Sequence, residues 1–256
     1  MNLVLFDEPN IRTSLLPLTY TRPVAEIRIG ILKISEKWAK YFGQVSFKTE
    51  DYLSSKYPEI MGTETIYING AACPSPGFVK AIQLLSPGES LWSGEDLIAT
   101  FDLDAATNSK RIGIERDFTW VDKVWKIFKH NASEIKADFS LITKDRKSAS
   151  ITDKHTSIYG EENIFVEEGV SIKAAVINAE NGPIYIGKNV DIQEGSVIKG
   201  SHAFCDGAVV NMGAKLRGDS TIGPYSKVGG EVSNSVIFGY SNKGHERFLS
   251  KSVLVE

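Results

Sequence analysis

From Val166 to Val228 a large apolar side chain recurs every six positions of this 256-residue chain. The series runs Val166, Ile172 and, after the interruption "NAENGPIY", Ile186, Ile192, Ile198, Phe204, Val210, Leu216, Ile222 and Val228. Four residues after these positions stand smaller side chains, Val170, Val176, Val190, Ser196, Ala208, Ala214, Ser220 and Ser226, with His202 the exception. Glycine or asparagine often precedes them, at Gly169, Asn189, Gly195, Gly207 and Gly213. A strand alternates every two residues, so positions two and four residues on would share its face with every sixth one, and a helix turns about 100° per residue and carries a six-residue spacing around its axis; neither singles out one large apolar residue in six. Short strands joined by tight corners do, because glycine and asparagine tolerate the corner backbone and the apolar residues then stack inside a three-sided prism.

The second half is therefore expected to be a parallel β-helix built of hexapeptide repeats. Its flat sides invite self-association, and a homotrimer is expected, partly from closed symmetry and partly because proteins that resemble it assemble so. The first half follows another rhythm. "LVLF" at Leu3 to Phe6 reads as a buried strand, and "TIYIN" and "DLIATFDL" as two more. "RIGILKISEKWAKYF" spaces Ile29, Leu32, Ile34, Trp38 and Phe42 as one amphipathic helix, and "GFVKAIQLL" reads as a short helix begun by Pro76. "WVDKVWKIFKHNASEIKADFSLI" offers one or two further helices, and the polar run "TKDRKSASITDKH" reads as a linker. The expected domains are an α/β unit over residues 1–150 and the repeat unit over residues 151–256.

A net charge of -3 argues against a general affinity for polyanions, so nucleic acid is a poor partner, although a local basic cleft can still hold phosphate. No apolar run approaches the length of a membrane span. Cys73 and Cys205 form neither a metal-binding pair nor a disulfide framework, which suits a reducing, cytoplasmic setting.

"IRTSLLPLTYTRPVAEIRIGI", Ile11 to Ile31, resembles the signature that follows the first strand of sugar nucleotidyltransferases. Taken with the repeats, the chain is similar to the bifunctional nucleotidyltransferase/acyltransferases related to N-acetylglucosamine-1-phosphate uridyltransferase, and in particular to a divergent sugar nucleotidyl transferase branch. The resemblance implies an N-terminal domain that joins a nucleoside triphosphate to a sugar 1-phosphate, and a C-terminal left-handed β-helix that uses acetyl-coenzyme A. On that match Arg12 faces the triphosphate, Thr19 lies in the "PLT" segment with Pro17, and Arg22 stands near the signature lysine. Cations suit such a site because pyrophosphate and developing charge must be held. The family also implies Mg2+, for which Asp7, Asp102 and Asp104 are the available carboxylates. The sequence departs from the signature before Arg12, where "FDEPNI" replaces a glycine-rich phosphate loop.

A second match lies in "GGEVSNSVIFGYSNKGHERFLSKSVLVE", which resembles the acetyltransferase segment where a loop breaks out of the coils. There His245 takes the place of the catalytic histidine, with Lys243, Asn242 and Ser241 beside it. Imidazole, with an ordinary pKa near 6.5, is suited to accepting a proton from an attacking amine. Glu231 is a candidate to orient the imidazole or the sugar amine, and Tyr240 to wall the pocket. His155, His202 and His245 lack the close spacing of a histidine zinc site, so His202 is expected to be buried or interfacial and hydrogen-bonded. Resembling enzymes carry further coils beyond the position of Glu256, which leads to the expectation of a truncated or differently capped prism. "FLSKSVLVE" is expected to resume the six-residue pattern through Leu249 and Val255. The alternative reading is a noncatalytic trimeric scaffold or sugar-nucleotide sensor.

Overall fold

The computed structural model describes residues 2–62 and 64–255. The chain divides into two compact units, Met1–Ile27 with Leu32–Lys126, and Arg28–Ile31 with Ile127–Glu256.

The first unit is built on a six-stranded sheet of β1 (Asn2–Phe6), β2 (Val45–Lys48), β3 (Thr65–Asn69), β4 (Glu89–Ser93), β5 (Asp96–Thr100) and β6 (Lys110–Gly113), in the order β2-β1-β3-β5-β4-β6. β1 runs parallel to both neighbours, and β5 is antiparallel to β3 and β4. Leu3, Val4, Leu5 and Phe6 are all buried, the pattern expected of a central strand covered on both faces. The turn after β1 is only Asp7 and Glu8, followed by the short helix α1 (Pro9–Ser14).

Helix α2 (Ile34–Phe42) is shorter than the sequence spacing predicts. Gly30 adopts a left-handed φ of +76° and ends any helical run from Ile29, while the Glu36 carboxylate accepts the Lys33 amide (2.8 Å) and starts the helix there. Within α2, Trp38 is fully buried and donates its indole N–H to the Ala72 carbonyl (2.8 Å). The second expected helix, α3 (Pro76–Leu84), begins where predicted, with the Ser75 hydroxyl accepting the Phe78 amide (3.1 Å). "WVDKVWKIFKHNASEIKADFSLI" forms two helices, α4 (Val124–Lys129) and α5 (Asn131–Thr143).

The second unit contains three parallel sheets whose strands are taken in rotation along the chain. The first sheet holds β7 (Ser157–Tyr159), β10 (Val176–Asn178), β13 (Val197–Lys199), β16 (Lys215–Arg217), β19 (Glu231–Ser233) and β22 (Phe248–Ser250). The second holds β8 (Ile164–Val166), β11 (Ile184–Ile186), β14 (His202–Phe204), β17 (Ser220–Ile222), β20 (Val236–Ile237) and β23 (Val253–Leu254). The third holds β9 (Ser171–Ile172), β12 (Asp191–Ile192), β15 (Val209–Val210), β18 (Lys227–Val228) and β21 (Asn242–Lys243). This is a β-helix-like domain, and every member of the apolar series from Val166 to Val228 lies in its buried core.

Two details correct the sequence register. Across "NAENGPIY" the inward position is kept by Ile177, fully buried and paired with Ile198, and the extra residues enlarge the following corner. At the end of the chain Leu254, not Val255, stands in register with Ile237. Corners tolerate such changes because only the inward column must stay aligned. One corner column shows how tightly the coils stack: Gly207 has φ +68°, and a Cβ there would lie 2.6 Å from the ring of Tyr225 in the next coil.

The expected linker is not a free tether. Residues 144–156 contain no helix or strand, yet Ala149 donates its amide to the Val166 carbonyl (2.8 Å) and Arg146 pairs with Glu167 (2.7 Å) along the first coil. The segment Arg28–Ile31 is also part of this unit. Thr221 Oγ1 donates to the Gly30 carbonyl (2.8 Å), Asn131 Oδ1 accepts the Gly30 amide (2.8 Å), and Asp138 Oδ2 accepts the Ile31 amide (2.8 Å).

His202 is buried within the single chain, stacked on Phe204 at 5.8 Å with its Nδ1 3.3 Å from the Gly200 carbonyl oxygen. Burial pushes its pKa down to about 4, so the ring is neutral at physiological pH.

Candidate functional site

In the first unit Asp7, Thr19 and the backbone of Arg22 converge on Arg12. This side chain is buried in α1, and its Nη1 donates to Asp7 Oδ2 (2.9 Å) and to the Arg22 carbonyl (3.3 Å). Its Nη2 donates to the Thr19 carbonyl (2.5 Å) and to the Tyr52 hydroxyl (2.8 Å), while Nε lies 3.5 Å from Glu50. Thr19 returns a bond from its hydroxyl to the Arg12 carbonyl (2.8 Å). The guanidinium thus fastens the loop carrying Thr19 and Arg22 to the end of β1. Tyr52, Thr49 and Glu50 were missed by the sequence reading. They stand some forty residues from the motif, and no local pattern marks them.

Asp7 is held as firmly. Oδ1 accepts the Val24 amide (2.8 Å), and Oδ2 accepts from the Thr49 hydroxyl (2.6 Å) as well as from Arg12. Burial raises its pKa, against the opposing pull of Thr49, Val24 and Arg12. Asp102 lies elsewhere, in the loop after β5, where Oδ1 accepts the amides of Asp104 (2.9 Å) and Ala105 (3.1 Å). Asp102 and Asp104 act on Tyr67, whose phenol is pushed up to about 12 mainly by burial and by its bond to Glu59. Among the described residues no group of three or more His, Cys, Asp or Glu can hold a metal ion. The three candidate carboxylates therefore do not fit a preformed Mg2+ cage: Asp7 is filled by protein donors, and the other two do not join it.

The start of α1 explains what "FDEPNI" does in place of a glycine-rich loop. Pro9 has no amide hydrogen, Glu8 Oε2 accepts the Ile11 amide (2.7 Å), and the Glu8 carbonyl accepts the Arg12 amide (2.9 Å). Of the amides at the start of α1, that of Pro9 is absent and those of Ile11 and Arg12 are satisfied within the chain.

In the second unit the "SNKGH" stretch does not leave the coils at once. Asn242 and Lys243 form β21, paired with Lys227 and Val228 of β18. The loop after it exposes His245, Glu246 and Arg247. The Lys243 amine points back, donating to the carbonyl oxygens of Gly229 (2.6 Å), His245 (2.9 Å) and Arg247. Glu231 is joined to this loop through its amide, which donates to the Arg247 carbonyl (3.3 Å), but its carboxylate pairs with Arg217 Nε (2.5 Å). Tyr240 lies at another corner, exposed and stacked on Tyr225 at 5.4 Å. Ser241 bonds the Gly239 carbonyl (3.3 Å). The fold thus brings Lys243, His245 and the Glu231 backbone together and leaves Tyr240 apart.

The six-stranded sheet with its helices is an α/β domain of nucleotidyltransferase type. A family model described as sugar nucleotidyl transferase matches residues 3–147, and the chain belongs to that family. No curated protein matches the chain. Among the described residues no helix is long and apolar enough to cross a membrane.

Proposed function

We propose that this protein joins a nucleotide to a sugar 1-phosphate in its N-terminal domain, residues 1–150, and that residues 151–256 carry an acyl-transfer site at the His245 loop. The family match over residues 3–147 carries the first part. A sugar-phosphate oxygen attacks the α-phosphorus of a nucleoside triphosphate, a new P–O bond forms, and the α–β anhydride breaks to release pyrophosphate. Arg22 contacts phosphate. Arg12 acts through the loop it fastens, so it is a positioning residue together with Thr19. The family association brings Mg2+, which when bound would neutralise phosphate charge; no step is assigned to it, because Asp7, Asp102 and Asp104 are not gathered into a preformed cluster.

At the second site the amine of a hexosamine 1-phosphate attacks the thioester of acetyl-coenzyme A. His245 accepts the amine proton, the C–N bond forms, and coenzyme A leaves as the thiol. Asn242 lines the approach, Glu231 lies beside the loop, and Lys243 supports it, while Tyr240, stacked on Tyr225 at another corner, takes no part. This reading includes left-handed coils, a homotrimer and a cytoplasmic setting. Its support is the exposed imidazole on a loop seated against the coils.

A second reading has its own observation. The start of α1 is closed by Glu8 and Pro9, which favours a noncatalytic sugar-nucleotide sensor or trimeric scaffold over turnover. Pyrophosphate release, measured with Mg2+ across nucleoside triphosphates and sugar 1-phosphates, separates the two. Release with one pair supports transfer; nucleotide binding with no release from any pair supports sensing. For the acyl site, His245→Ala should lower thiol release from acetyl-coenzyme A and glucosamine 1-phosphate by about 10²–10⁴-fold while leaving assembly intact. Unchanged turnover removes His245 as the base.

A further inference from the structure

In the third sheet the aligned column reads Ile172, Ile192, Val210, Val228 and then Lys243. A lysine ending a column of aliphatic residues has to place its ammonium. Here the three ammonium hydrogens meet three carbonyl oxygens, those of Gly229 (2.6 Å), His245 (2.9 Å) and Arg247, which matches the full donor capacity of the group. Burial lowers the amine pKa, partly offset by Glu246.

The backbone around the ammonium is built to this shape. The Arg247 amide donates to the His245 carbonyl (2.8 Å), and the Glu231 amide to the Arg247 carbonyl (3.3 Å). Asn211 Nδ2 holds the Gly244 carbonyl (3.3 Å). Below the loop lie Gly229 and Gly230. A Cβ on Gly230, whose φ is +66°, would stand 2.7 Å from the His245 oxygen, and one on Gly229 would stand 2.7 Å from the Gly244 oxygen. Carbonyl oxygens converging on one point repel each other unless a cation occupies it.

We infer that the carbonyls of Gly229, His245 and Arg247 form a cation-binding cradle of the kind that takes a primary ammonium, and that Lys243 is its resident cation. Lys243 is thereby a positioning residue: it sets the backbone from which His245 projects and makes no contact with substrate. The catalytic weight of this assignment rests on the acyl-transfer reading, but the cradle itself does not.

The test is amide hydrogen exchange on the full chain. Lys243→Met keeps the apolar stem and removes the charge. It should speed exchange at the amides of Glu231 and Arg247 by about tenfold or more, without change in the interior strands around Ile192 and Val210. Methylammonium should slow exchange again, and tetramethylammonium, which has no N–H, should not. Unchanged exchange in the variant, or equal effects of the two salts, overturns the inference. If the variant does not fold, the wild-type protein answers by NMR. The Lys243 ammonium protons should exchange slowly and show scalar coupling to the carbonyl carbons of Gly229, His245 and Arg247. Exchange as fast as at exposed Lys251, with no coupling, overturns the cradle. Neither readout uses acyl transfer, so loss of that activity reading would leave the result intact.

Discussion

Acidification should unfold the coil domain in large part through His202. In the folded chain the ring is enclosed and neutral with a pKa near 4, whereas in the unfolded chain it returns to about 6.5. The folded value lies below the unfolded one, so between those pH values the unfolded state binds a proton that the folded state refuses. Stability is whole above about pH 6.5, declines as pH falls, and stops declining from this cause near pH 4. The two pKa values give a loss of about 1.4 kcal/mol at pH 5.5, about 2.6 kcal/mol at pH 4.5, and about 3.4 kcal/mol at the limit. His202→Phe keeps a flat ring against Phe204 and has no proton to bind. Urea unfolding of both proteins at about pH 7, 5.5 and 4.5 isolates the contribution, because every other titrating group is shared. The gap between wild type and variant should shift in favour of the variant by those amounts. A gap independent of pH would refute the argument by showing that the ring is solvated or charged when folded.

Two further perturbations test the packing on which the sites depend. Arg12→Ala leaves the buried Asp7 carboxylate without its cation and should destabilise the first unit by about 3–5 kcal/mol in urea or thermal melts. Because burial already raises the Asp7 pKa, the penalty should shrink as pH is lowered and the carboxyl takes a proton; a penalty independent of pH would count against it. Phe204→Ala empties a fully buried place in the core of the coils and should cost about 3–5 kcal/mol, and a loss below about 1 kcal/mol would mean that the interior closes over the gap.

The inward columns of the coils were legible because each depends on local spacing: a residue one coil away must be apolar whatever lies elsewhere. The slips at Ile177 and Leu254 were not, since a corner can gain or lose residues without changing the character of the chain around it. The early helix was overextended for a different reason. Ile29 has helical spacing, but Gly30 is left-handed and its amide, with that of Ile31, is taken by Asn131 and Asp138 about a hundred residues later. At Lys243 the sequence shows the charge and not the carbonyl oxygens that it meets.

Residue types and their periods alone settled the repeat architecture and, through the stretch around Arg12, the family. Only tertiary structure decided what those residues touch. Arg12 and Tyr52, forty positions apart, close into one hydrogen bond, and the Ile11 amide at the start of α1 is taken by the carboxylate of Glu8. The difference is physical. Burial of an apolar side chain is non-directional and is written in spacing, whereas a buried charge is defined by the particular oxygens and N–H groups placed within about 3 Å of it.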